Sequence, residues 1–128
     1  MKASWLFALL VVAAYVGLEL FAAAKARPRM EPDSMYRRMV AARVAAESCG
    51  GVPQEQEARF QANLERMRGR VRTKLGQSEA EPDSAAIEAT IADLTRQAEA
   101  EASAALEAEG CGSFVGRRLL RRHEIRAR

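Results

Sequence analysis

The sequence is poor in the residue types on which most protein chemistry runs. It has one histidine, His123, and two cysteines, Cys49 and Cys111. A structural zinc site needs about four ligands, and these three leave it short. No C-x-x-C is present for dithiol exchange, and no glycine-rich phosphate loop or nucleophile elbow occurs. A nucleophilic cysteine would need His123 as its base, and nothing around either cysteine resembles a thiol-enzyme motif. A lone histidine in an arginine-rich tail is expected to be solvated. Aromatics make up 5% of the chain, which leaves little to stack nucleobases, and the formal charge of +3 is too mild to imply nucleic acid. The expectation is therefore a non-enzymatic protein without cofactor, metal or small-molecule substrate. Abundant alanine and arginine, with few aromatics, favour helices over sheets.

What is present begins with an apolar N-terminus, MKASWLFALLVVAAYVGLELFAAAKA. Lys2 supplies a thin positive start, Leu6 to Leu18 is uninterruptedly apolar, and Ala22 to Ala24 offers the small residues of a cleavage site. Residues 1–24 thus read as a secretory signal peptide. As an alternative, Trp5 to Ala24 approaches the ~20 residues that span a bilayer, an uncleaved anchor. Lys25, Arg27, Arg29, Arg37 and Arg38 follow the run and would favour the inverted orientation. Removing residues 1–24 takes away Lys2 and Glu19, so the mature chain keeps +3.

The tetrapeptide EPDS occurs at 31–34 and again at 81–84, each time ahead of a helix-forming run. Proline disfavours helix in the residue before it, and Asp or Ser can cap the next turn. The flanks of the two copies differ, so this is repeated start chemistry and not a duplication. A first helix is expected from about Ser34 to Ser48, burying Tyr36, Met39, Val40 and Val44, and ending at Gly50-Gly51. A second opens at Pro53 with the stripe Phe60, Leu64, Met67, Val71 and Leu75. A third starts near Ser84 and carries Ile87, Ile91, Leu94, Ala98, Ala102 and Ala105 before Gly110. Six cations between Arg59 and Lys74, against an acidic third helix, predict a charge-matched hairpin between the second and third helices.

In an up-down-up bundle the first and third helices run parallel. Cys49 and Cys111 each follow the C-terminal end of one, so topology places both thiols at one pole. The predicted fold is all-α: a small three-helix bundle over 34–113 with one Cys49–Cys111 disulfide, after a linker at 25–33. The bridge would close a loop worth roughly 4 kcal/mol in the chain-entropy model, and it implies an oxidising compartment.

Residues 114–128 remain as a basic amphipathic segment capped by Ser113. Arg117, Arg118, Arg121, Arg122 and Arg126, interleaved with Phe114, Val115, Leu119, Leu120 and Ile125, suit an anionic membrane surface or an acidic protein partner. The blander expectation is that Phe114, Leu119 and Leu120 cover the open end of the bundle while the arginines are solvated.

The order of features resembles a group of small uncharacterised exported helical proteins of alphaproteobacteria. The resemblance rests on VAARVAAESCGG and EAEGCGSFVGRRLLR. It implies an envelope location, periplasmic or anchored in the inner membrane and facing the periplasm, and it implies no activity. The functional expectation is an accessory or interaction protein of the bacterial envelope, or else a membrane-tethered small subunit of a larger envelope complex.

Overall fold

In the computed structural model, residues 30–128 are described, and the expected signal peptide or anchor lies outside them. Four helices follow one another: α1 (Pro32–Cys49), α2 (Gln54–Gln77), α3 (Ser84–Glu109) and α4 (Phe114–Arg126). No strand occurs among the described residues. Short connections at 50–53 and 78–83 make consecutive helices antiparallel, so α1 and α3 run parallel and end at the same pole.

Both of those ends are closed by the same device. Gly50 and Gly110 take positive φ, 70° and 84°, and their N–H groups donate to the Ala46 and Leu106 carbonyls. A residue with a Cβ is strained in that region, which explains glycine at both places. Cys49 and Cys111 flank these glycines and form the disulfide across the pole, with Cα atoms 5.8 Å apart and a sequence separation of 62.

The bundle has four helices, not three. Val44, Ala45 and Ala46 are consecutive buried residues of α1. Three neighbours in a helix span about 200° of its circumference, more than two packed helices cover. The remaining side is taken by α4 and its C-cap, where Gly116, Leu119, His123 and the capping Ala127 are buried at steps of three, four and four. Leu119 packs with Val44, Ala45, Ala102 and Leu106 near the disulfide. Ala127 reaches the main core of Tyr36, Met39, Val40, Phe60, Leu64 and Ile91. The fourth helix therefore runs back obliquely from the disulfide pole to the middle of α1, and 114–128 is a part of the domain.

Most of the expected core is buried, but the stripes are not uniform. Met67, Leu75 and Leu94 are half-buried and pack against the core from its rim. In α3 Leu106 is buried and Ala105 is only half so, because α4 approaches from the Leu106 side. Tyr36 satisfies its hydroxyl by donating to Thr95 Oγ1 at 2.8 Å, since that threonine donates its own proton to the Ile91 carbonyl.

The two EPDS copies serve different ends. Asp83 caps α3, its carboxylate accepting from Ala85 N at 2.9 Å. The first copy makes no side-chain cap, and α1 starts at Pro32, ahead of the expected Ser34. Glu31 and Asp33 instead accept from Lys74 of α2, which raises the lysine's pKa. The expected α2–α3 charge match is realised at Glu88 with Arg72 and Arg68. These hydrogen bonds, Arg72's first, hold the Glu88 carboxyl below its ordinary range. Its contribution to stability is present above that range and is lost as pH falls below it, through the lowered value of the folded state. Glu99 and Glu101 turn the other way, to Arg43 and Arg37 of α1.

Gly116 and Gly69 are both helical glycines in opposite surroundings. A Cβ on Gly116 would lie 2.7 Å from the Gly110 carbonyl oxygen and closer still to that of Cys111, both rigid backbone. A Cβ on Gly69 would meet nothing within 4 Å. Gly116→Ala should therefore lower stability by about 1–3 kcal/mol, and Gly69→Ala should raise it by about 0.5–1 kcal/mol. Denaturant titration of the two variants checks the opposite signs.

Candidate functional site

Helix α4 starts with Ser113, whose hydroxyl accepts from Gly116 N at 3.0 Å and donates to the Gly110 carbonyl at 2.6 Å. This double contact starts the helix within two residues of the disulfide and fixes which face turns inward. The inward face carries the first departure from expectation. His123 is not solvated: its exposure is 0%. Its ring stacks on Phe60 with centroids 3.9 Å apart. Gln56 Nε2 lies 3.0 Å from Nδ1, and Glu57 Oε2 lies 2.8 Å from Nε2. An amide nitrogen can only donate, so Nδ1 accepts and Nε2 carries the proton toward Glu57. Every polar atom of the ring has a partner, and the role is structural: it ties α4 to the start of α2.

The outward face carries the second. Phe114 is 72% exposed and Ile125 51%, the two largest apolar side chains left in solvent on α4. Only Leu119 of the expected covering trio is buried, and Leu120 is half-buried. Phe114, Arg118, Arg121 and Ile125 are spaced four, three and four apart, so they form one stripe along the outer side of α4. Arg117 and Arg122 flank it on either side.

The five arginines singled out from the sequence do not converge on one point. Arg117 and Arg121 line an open groove of about 760 Å³ together with Leu120 and Glu124 of α4 and with Gly50 and Gly51 of the α1–α2 connection. Arg122 lies on the other side of α4, in a cleft it shares with Arg38 of α1. Arg126 borders a third depression beside Met67 and Arg70, and its carbonyl accepts from Asn63. None of the five forms an ion pair among the described residues, whereas Arg37, Arg43, Arg68, Arg72 and Lys74 all bridge neighbouring helices. Burial, followed by the charges of Arg38, Arg118 and Arg126, lowers the pKa of Arg122. The long helices spend several of their cations on one another's carboxylates. Helix α4 leaves its own unmatched.

Among the described residues no group of three or more His, Cys, Asp or Glu is placed to hold a metal ion, and no helix is long and apolar enough to cross a membrane. Comparison with protein-family models, curated proteins and solved structures found no match to this chain.

The inward position of His123 was readable in principle. Gly116, Leu119, His123 and Ala127 keep helical spacing, and a histidine on an apolar stripe is placed by its neighbours. Replacing His123 with alanine removes the ring from under Phe60 and strands Gln56 and Glu57. Thermal or chemical unfolding should show a loss of about 2–4 kcal/mol. His123→Phe, which keeps the stack but neither hydrogen bond, should recover only part of it.

Proposed function

We propose that this chain is a non-enzymatic, exported helical protein of the bacterial envelope that acts by contact, with α4 as the element that seats it on an anionic membrane surface. The carrying observation is the outer stripe of α4, in which exposed Phe114 and Ile125 bracket Arg118 and Arg121, cations with no carboxylate partner among the described residues. A helix lying in a membrane interface needs this composition: apolar groups that enter the boundary and arginines whose heads remain at the phosphates. Each arginine near an anionic surface contributes about 1 kcal/mol, and the attraction fades over a Debye length of ~10 Å at 0.1 M salt. The disulfide supports an oxidising compartment such as the periplasm, and the apolar run Leu6 to Leu18 supports export or an anchor beside that membrane.

The second reading, a membrane-tethered small subunit of a larger envelope complex, is favoured by the same run if it is kept. Intact mass of the native protein separates them: loss of about the first 24 residues fits a signal peptide, and full length in the membrane fraction fits the tether.

The docking itself is read as the excess partition of the full chain into anionic over neutral vesicles, a difference that cancels insertion of the N-terminal run. The excess should fall with salt, and Arg118→Gln with Arg121→Gln should reduce it roughly thirtyfold at low salt. Phe114→Ala should instead lower partition into neutral and anionic vesicles alike, at any ionic strength. Equal partition into neutral and anionic vesicles at low salt would contradict the membrane seat and leave an acidic protein partner as the target of α4.

A further inference from the structure

A cleft opens between α1, α3 and α4. It measures about 260 Å³, and its walls carry Arg38 from α1 and Arg122 from α4. Its floor is small and apolar, formed by Ala41 of α1 with Ala98 and Ala102 of α3. The one carboxylate that borders it, Glu101, is already occupied by Arg37 at 2.9 Å. Neither Arg38 nor Arg122 has a carboxylate partner among the described residues. The alanine floor gives the guanidinium groups no acceptor of their own.

We propose that this cleft binds a phosphate monoester, held between Arg38 and Arg122. The assignment rests on the reading of α4 as a membrane-facing element and names the chemistry it recognises. Guanidinium groups present planar forks of N–H donors that match phosphate oxygens, and two forks from different helices can take one group from two sides. A monoester carries about −1.5 to −2 charges at pH 7, which suits a cleft where three guanidinium groups face one carboxylate. A diester carries a single charge and leaves part of the repulsion unrelieved. Burial, and after it the charges of Arg38, Arg118 and Arg126, lower the pKa of Arg122, the direction that crowded cations impose. Arg122 is spaced four residues from Arg118 of the outer stripe, so the cleft opens at the edge of the proposed membrane contact. The ester can therefore come from a lipid headgroup or from a soluble metabolite.

The test has a soluble arm and a vesicle arm. In the first, the full chain is titrated with inorganic phosphate and with glycerol 3-phosphate while the arginine Nε–Hε resonances are followed by NMR. Saturable shifts are expected, weakened about tenfold by Arg38→Gln or Arg122→Gln and unaffected by Arg117→Gln. Both substitutions relieve like-charge crowding, so the variants should melt no lower than the parent. In the second arm, vesicles with phosphatidic acid are compared with phosphatidylglycerol vesicles of equal surface charge. A preference for phosphatidic acid that Arg38→Gln removes supports the site with a lipid as its source. Saturable shifts without that preference support it with a soluble ester as the source. Shifts that persist when neither vesicle binds would sink the membrane seat and leave the cleft standing. The cleft assignment is overturned by the absence of saturable shifts, or by equal losses in Arg38→Gln and Arg117→Gln, whatever the vesicles show.

Discussion

The Cys49–Cys111 disulfide is the constraint on which the rest of the arrangement depends. It joins the C-terminal ends of α1 and α3, two helices whose glycine caps release the chain at the same pole. Only Gly112 and Ser113 then separate Cys111 from α4. With its start anchored there, the last helix has one apolar surface within reach, the exposed side of Val44 and Ala45, and it turns back across it. Fixing the pole thus fixes which face of α4 is buried. The chain is short for a stable core, and a crosslink that closes a loop of this length supplies a large share of the order a larger interior would provide.

The consequence for α4 is a helix of two opposed characters. Inward, Gly116 gives close approach to the preceding turn, Leu119 fills the space between α1 and α3, and His123 is satisfied on all sides by Phe60, Gln56 and Glu57. Outward, the same thirteen residues present Phe114, Ile125 and a set of arginines without carboxylate partners among the described residues. The long helices already use Glu88, Glu99 and Glu101 to hold themselves together. Of their acids Glu57 meets α4, at His123, and the arginines of α4 are left without a carboxylate partner among the described residues.

The parts of this structure that follow from local rules were legible in the sequence. The three long helices, the glycine stops of the first and third, the parallel sense of those two, and the shared pole of the two cysteines all follow from spacing and short connections. What was not legible depends on tertiary choice. Asp33 and Glu31 in the first EPDS face Lys74 and leave the cap unmade, while the identical second copy caps α3 with Asp83. Leu94 keeps the helical rhythm but meets the rim, because a period gives a face and not its depth. The last segment was misjudged for the same reason. Its apolar residues were legible as a face, but only the space left beside α1 decides that Leu119 and His123 enter the core while Phe114 stays outside. Within the candidate site, the arginines were visible one by one. Their division between an outer stripe and a cleft shared with Arg38 was not, since Arg38 lies 84 residues earlier in the chain.

The disulfide sets the position of α4 and, with it, the surface the protein offers. Hydrogen exchange of the full chain before and after gentle reduction tests this most directly. Amides of α4 should lose protection on reduction well before those in the middle of α2 and α3, because α4 alone depends on the pole for its placement. If α4 keeps its protection while the cysteines are reduced, its packing is independent of the bridge and the account is wrong at its base.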